Sequence, residues 1–127
     1  MAWEVRFDQA FEPEFKGFDT DVQDELLAVA RLLAEFGPQL GRPHADTLKG
    51  SKHANMKELR FAAAQREWRA AFAFDPLRRA IVLVAGGKSG GSQKLFYKQL
   101  IAKADCRFDA HLERLRTAKE EKRGRTR

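Results

Sequence analysis

The spacing of apolar residues changes along this chain of 127 residues, and that change constrains its fold more than any other feature. From Val22 to Phe36 apolar residues recur every three or four positions, which is the period of an amphipathic helix. From Met56 onward they alternate with polar residues or form a short continuous run, which are the patterns of β-strands. We therefore predict a domain that combines helices with a sheet.

These periods predict an α+β fold with a small antiparallel sheet of about four strands, two N-terminal helices and a C-terminal helix, all helices packed on one face. The second helix should begin at a capping box, Thr20 to Gln23, and stop at Gly37. Strands are predicted at residues 3–7, 56–62, 67–75 and 80–85, helices at residues 9–18, 20–36 and 92–116, and a long loop at residues 41–55. Residues 1–116 should form a single domain, followed by a basic, flexible tail at 117–127.

Charge is sorted along the chain. Residues 1–41 carry a net charge of −6, whereas residues 42–107 carry +9. Because most of the predicted strands lie in the basic part, a rigid sheet should display this charge. Such a face suits a polyanion, since it neutralises phosphates and releases their counterions. A solvated basic surface with no partner is the alternative.

Several classes of protein are not expected. Cys106 is the only cysteine, so the sequence offers no intrachain disulfide and no Cys-rich metal motif. Neither a signal peptide nor an apolar run of 18 residues is found, which predicts a cytoplasmic protein without a membrane span. The glycine-rich segment 86–92 lacks Walker A spacing. We expect no metal and no cofactor.

Arg69 is the residue that stands out in the strand pattern. Trp68, Ala70, Phe72 and Phe74 should face the core, which leaves Arg69 on an outer face among small residues, like the floor of a groove. Arg60 has the same outward phase on the neighbouring strand. This interpretation depends on exposure: a guanidinium of Arg69 buried against acidic neighbours would contradict it.

Four ordered segments carry a resemblance to a known family: Leu48-Lys-Gly-Ser, Met56-Lys-Glu-Leu-Arg-Phe, Glu67-Trp-Arg-Ala-Ala-Phe-Ala-Phe-Asp, and Ile81-Val-Leu-Val followed by Lys88. With the order of elements, they resemble the RelE/ParE superfamily of bacterial toxins, most of all its HigB-like, phage-related branch. The likeness covers roughly residues 3–112. It implies the toxin of a type II toxin–antitoxin system, usually a ribosome-dependent mRNA endoribonuclease. A helix-turn-helix antitoxin normally neutralises such a toxin in a hetero-oligomer.

Metal-free RNA cleavage needs a base for the 2′-hydroxyl, cations for the phosphate and an acid for the leaving oxygen. The candidate catalytic residues are Arg69, Lys88, Arg60 and His53, and the candidate RNA-binding residues are Lys49, Lys52, Lys57, Lys94 and Tyr97. The prediction of RNA cleavage depends on an exposed Arg69, and a guanidinium buried against acidic neighbours would contradict it. Structural alternatives remain open. Either arginine could be ion-paired, Arg69 with Glu58 or Glu67 and Arg60 with Glu58 or Asp75. Lys88 could serve only solubility, His53 could be idle in solvent, and Tyr97 could be a core residue.

Glu58 departs from the pattern of the ribosome-dependent toxins, which cluster lysines on that strand. A carboxylate there could act as a base or could mark a different catalytic set. Two other functions stay open on the same fold. One is a non-enzymatic, gyrase-inhibiting toxin of the ParE kind, and the other is a phage-derived nucleic-acid-binding module.

Overall fold

The elements of the computed structural model, which describes residues 2–125, follow the predicted order with one additional strand. The strands are β1 (Glu4–Phe7), β2 (Ala45–Thr47), β3 (Lys57–Ala63), β4 (Arg66–Phe74) and β5 (Arg79–Lys88). The helices are α1 (Glu12–Lys16), α2 (Thr20–Phe36) and α3 (Gln93–Arg125). The α+β class is confirmed. None of the helices described in residues 2–125 is long and apolar enough to cross a membrane.

The five strands form one mixed sheet in the order β1-β5-β4-β3-β2. Neighbouring strands are antiparallel except β1, which runs parallel to β5 with Phe7 opposite Val82. The prediction of an antiparallel sheet of about four strands was therefore wrong in detail. The pairing of β1 with β5 joins distant parts of the chain, and β2 has only three residues inside the segment predicted as a loop.

Helices cover both faces of the sheet, so the prediction that they all lie on one face was wrong. On one face, α2 packs through Leu26, Val29 and Leu33 against residues that include Leu59, Phe72 and Val82. On the other, α3 packs through Leu100, Ala104 and Phe108 against residues that include Ala71, Ile81 and Leu83. Alanines on β4 that were predicted to line an open groove are instead fully buried beneath α3.

The bounds of α2 agree with the prediction, but its first turn does not use the predicted capping box. Asp19, not Thr20, is the N-cap residue, and it makes no side-chain capping hydrogen bond. The amide of Gln23 instead donates to the carbonyl oxygen of Phe15 at 3.0 Å, which ties α2 to α1. Gly37 ends the helix with a positive φ of 58°.

Ion pairs fix the long helix α3 to the rest of the domain. Arg107 donates to the carboxylate of Glu14 at 2.6 Å and 2.9 Å and to the carbonyl oxygen of Leu83 at 2.7 Å. Arg114 contacts Asp8 at 3.1 Å. The helix continues through Arg125, beyond its predicted end at residue 116. A flexible tail stays a prediction, and residues 126 and 127 lie outside the described residues.

Candidate active site

Arg69 is buried at the centre of a polar cluster between the sheet and the start of α3. Only 2% of its surface is exposed. Its Nε donates to the Tyr97 hydroxyl at 3.1 Å, and its Nη1 donates to the Trp68 carbonyl oxygen at 2.9 Å. Its Nη2 lies 3.5 Å from the carboxylate of Glu67. The predicted exposure of Arg69 was wrong, because α3 covers the face on which it lies.

The nearest buried partner of this guanidinium is Glu58 on β3. The carboxylate Oε1 of Glu58 lies 3.8 Å from Arg69 Nε, and only 5% of Glu58 is exposed. That oxygen has no assigned hydrogen-bond donor within residues 2–125. The structure thus forms the ion pair of Arg69 with its acidic neighbours that the sequence left as an alternative. Removing either buried partner would leave the other charge without compensation.

Tyr97, on the second turn of α3, is half-buried with its hydroxyl in this cluster. Burial raises the pKa of the Tyr97 hydroxyl; the hydrogen bond from Arg69 opposes this rise, and the Glu58 carboxylate adds to it. The Nζ of Lys88 lies 5.7 Å from the centre of the tyrosine ring, within the range of a cation–π interaction. Tyr97 is therefore not only a core residue, because its hydroxyl and its ring both contact charged side chains.

Two clefts open beside the cluster, and Arg42 lines both. The first, of ≈ 330 Å³, is lined by Arg42, Pro43, Arg60, Phe61, Ala62, Glu67 and Arg69. The second, of ≈ 390 Å³, is lined by Arg42, Asp46, Thr47, Leu48, Lys49, Glu58 and Tyr97. The chain thus places cations and groups that can exchange protons around one opening.

Arg60, which lines the first cleft, and Lys88, which lies over the Tyr97 ring, are both partly exposed. The structure does not form the ion pair of Arg60 with Glu58 or with Asp75 that the sequence left open. Glu58 is paired with Arg69, and Asp75 is paired with Arg79 and His111. Lys88 is the last residue of β5, so the loop predicted to carry it begins one residue later. Gly87 permits this extension of the strand: a Cβ there would lie 2.7 Å from Arg66 Cδ.

The structure places His53 away from the cluster. Its Nε2 lies 2.8 Å from the carboxylate of Asp109, and its ring packs edge-on against Phe108 with centroids 4.9 Å apart. Asp109 follows Tyr97 by twelve residues on α3, a separation of roughly 18 Å along a helix. Lys52 is ion-paired with the same carboxylate. His53 is therefore neither idle in solvent nor close to Tyr97, and it holds its loop on α3.

The remaining predicted RNA-binding lysines are spread over the molecule. Lys57 donates to the carbonyl oxygen of Pro38 at 3.4 Å and lies on the sheet face opposite Glu58. Lys49 is exposed in the second cleft, and Lys94 is exposed at the start of α3. Within residues 2–125, no three His, Cys, Asp or Glu side chains are grouped as metal ligands would be.

Comparisons with known proteins agree with this architecture. The family model of phage-derived Gp49-like proteins (DUF891) matches residues 13–109, and the chain belongs to this family. It is 43% identical over 110 residues to "Putative toxin HigB2" of Mycobacterium tuberculosis, covering 86% of this chain and 54% of that protein. It is 41% identical over 95 residues to "Putative toxin HigB3" of the same organism, covering 75% of this chain and 81% of that protein. The chain thus spans about half the length of the first relative.

A solved structure shares the fold. The free-state structure of a mutant of E. coli toxin RelE superposes with a TM-score of 0.57 and 14% sequence identity, covering 81% of this chain and 97% of that chain. At this identity the likeness concerns the fold alone. Together with the two relatives, it confirms the predicted resemblance to the RelE/ParE superfamily and its HigB-like branch.

Proposed function

We propose that this protein is the toxin of a type II toxin–antitoxin system and that it cleaves mRNA on the ribosome. The observation that carries the proposal is the group of cations around Tyr97. Lys88 lies over the Tyr97 ring, and Lys49 lines the same cleft as Tyr97. Arg60 lines the first cleft, which shares Arg42 with the cleft of Tyr97. The relatives that are named toxins support it, because their similarity covers most of this chain.

The proposed reaction uses the RNA's own 2′-hydroxyl. A bond forms between the 2′-oxygen and the phosphorus while the bond from phosphorus to the 5′-oxygen breaks. The proton of the 2′-hydroxyl goes to a base, and the leaving 5′-oxygen takes a proton from an acid. Tyr97 is the group that we assign as the acid for the leaving 5′-oxygen, and a water molecule takes the proton of the 2′-hydroxyl. Arg60 and Lys88 would neutralise the phosphate. The products are a 2′,3′-cyclic phosphate and a 5′-hydroxyl end.

Arg69 has no direct contact with RNA in this proposal. The sequence predicted that its guanidinium grips the phosphate, and the prediction of RNA cleavage depended on that grip. The burial of Arg69 against Glu58 and Glu67 contradicts that prediction. Cleavage is still proposed because partly exposed cations remain near the cluster: Arg60 lines the first cleft, and Lys88 lies over the Tyr97 ring. Lys49 and Lys94 are exposed and would bind the flanking backbone.

The proposed partners are mRNA on the ribosome and a helix-turn-helix antitoxin. The basic surface favours an antitoxin that binds through an acidic or amphipathic segment, since complementary charge steers association. Both partners are expected in the cytoplasm.

Primer-extension mapping of transcript ends after induced expression tests the proposal. We expect growth arrest and new transcript ends in cells, and cleavage of purified mRNA only when ribosomes are present. Intact transcripts together with broken DNA would favour the gyrase-inhibiting alternative. Salt-sensitive binding without cleavage, even with ribosomes supplied, would favour a nucleic-acid-binding module.

A further inference from the structure

We infer that Arg69 and Glu58 are positioning residues, which act on the reaction by holding the Tyr97 hydroxyl at the opening of the two clefts. The inference rests on the proposed function, in that Tyr97 is the group given to proton transfer. It reverses the role that the sequence suggested for Arg69, from a residue that contacts the substrate to one that acts through another side chain.

Burial prevents either residue from gripping RNA directly. Arg69 is 2% exposed and Glu58 is 5% exposed, whereas Tyr97 is half-buried and lines the second cleft. An RNA strand lying in the second cleft would reach the half-buried tyrosine before the carboxylate of Glu58, which lines the same cleft. The tyrosine is therefore the member of the cluster that can meet substrate without a rearrangement of α3.

The hydrogen bonds leave the phenol one defined orientation. Arg69 Nη1 is fixed to the carbonyl oxygen of Trp68, so the guanidinium directs its Nε at the Tyr97 oxygen over 3.1 Å. The phenol oxygen accepts that bond, and its own proton remains to be donated. Glu58 Oε1 is buried without a donor among residues 2–125, lies 3.8 Å from the same Arg69 Nε, and belongs to a residue that lines the second cleft together with Tyr97. It is therefore the buried acceptor available to that proton. The phenol thus bridges a cation and an anion.

Other charged groups surround this bridge. Lys88 on β5 lies over the tyrosine ring, and Glu67 on β4 contacts the outer side of Arg69. Arg42, Asp46 and Lys49 line the cleft in front of the ring. None of these forms a hydrogen bond with the phenol, so Arg69 and Glu58 are the charged groups that should affect its titration most.

The composition of the chain provides a direct experiment, because Tyr97 is its only tyrosine. Biosynthetic 3-fluorotyrosine gives a single ¹⁹F resonance for this phenol, and its greater acidity brings the titration below the pH of alkaline unfolding. The titration is measured in the wild-type chain, Glu58→Gln, Arg69→Gln and the double variant. Arg107→Gln is the control, because it breaks an ion pair of α3 with Glu14 and does not contact Tyr97.

The two single variants should shift the titration in opposite directions. Glu58→Gln removes an anion and should lower the titration midpoint, whereas Arg69→Gln removes a cationic donor and should raise it. The double variant should titrate between them, and the control should match the wild type. If Arg69→Gln fails to fold, the effect of Arg69 is measured by comparing Glu58→Gln with the double variant. The double variant should then have the higher titration midpoint, because it also lacks the cation.

A merely structural role gives a different result. If Arg69 and Glu58 serve only packing, each variant would expose the phenol and lower its titration midpoint. If they have no effect on the phenol, the midpoint would stay unchanged. Either result overturns the inference. The readout requires no RNA, so its failure is separate from a failure of the proposed function. With cleavage established, the pH profile of single-turnover cleavage should move with the ¹⁹F midpoint, and a profile that stays fixed would also contradict the inference.

Discussion

Arg60 and Arg69 lie directly opposite each other across β3 and β4, yet only Arg69 is buried. Side chains at such opposed positions share a face of the sheet, and like charges there are unfavourable unless something compensates them. Glu58 compensates Arg69 from within the protein. Arg60 lines a cleft instead, so its charge is available to an anion that enters from solvent.

This difference predicts which cations matter for activity. The double variant Arg60→Ala, Lys88→Ala should reduce cleavage by about 100-fold or more, because it removes charge that stabilises the transition state. The melting temperature should change little, since both side chains are half-exposed. Growth arrest and transcript ends are the measurements. Arg31→Ala, on the opposite side of the sheet, is the matched control. If the double variant is as toxic as the wild type, Arg60 and Lys88 do not contribute to the active site.

A second prediction concerns the stability of the buried pair. Arg69→Ala should lower the free energy of unfolding by about 3–5 kcal/mol, because it leaves the Glu58 carboxylate buried without compensation. Loss of activity in that variant alone would therefore not identify a catalytic arginine. Urea unfolding of Glu58→Gln, Arg69→Gln and the double variant measures the coupling. The double variant should lose less stability than the two single variants added together, whereas strict additivity would contradict the pairing.

A third prediction concerns the loss of stability at acidic pH. The Asp75 carboxylate is fully buried and accepts hydrogen bonds from Arg79 at 2.8 Å and 3.0 Å, with His111 Nε2 at 2.9 Å. Burial tends to raise the pKa of Asp75, but the bonds from His111 and Arg79 outweigh it, so the pKa is lowered in the folded chain. This contribution is complete above the unfolded-state pKa of about 3.9 and is lost as the pH falls through the lower folded-state value.

The measurement is the free energy of unfolding as a function of pH. Asp75→Asn should cost about 2 kcal/mol at neutral pH. The difference from the wild type should shrink below about pH 4, because Asp75 then takes up a proton in the unfolded chain while it stays ionised in the folded chain until a lower pH. If the difference in unfolding free energy between the two chains does not depend on pH, the charge of Asp75 is not what stabilises the folded chain. Its partner His111 anchors α3, so the C-terminal half of that helix should exchange amide protons faster in the variant.

Local patterns predicted the elements better than their arrangement. The apolar stripe of α2 gave its bounds, and the alternation around Phe72 gave β4 to within one residue at each end. The same alternation led to a wrong prediction of which face of β4 is exposed to solvent. Ala71 and Ala73 carry too little side chain to distinguish an open face from one packed beneath a helix, and the contact with α3 is far away in the sequence. The burial of Arg69 follows from that distant contact.

The candidate site was predictable in part for the same reason. Arg60, Lys88 and Tyr97 were singled out from the sequence. The structure brings Lys88 to the Tyr97 ring and places Arg60 in the cleft next to that of Tyr97, with Arg42 lining both clefts. Glu58 stood out as a departure from the family pattern and as one of two possible ion-pair partners of Arg69, but spacing did not show that this pair would be buried. His53 was attractive as a lone histidine in a basic segment, but its neighbour Asp109 is 56 residues away in the chain.

The most direct test of the central claim is the chemistry of the RNA ends made by purified protein on translating ribosomes. The account predicts 5′-hydroxyl and 2′,3′-cyclic phosphate ends, with Tyr97→Phe slowing their formation by about 100-fold in single turnover while the chain remains folded. Ends that carry a 5′-phosphate, or mRNA that stays intact beside an active ribosome, would contradict it.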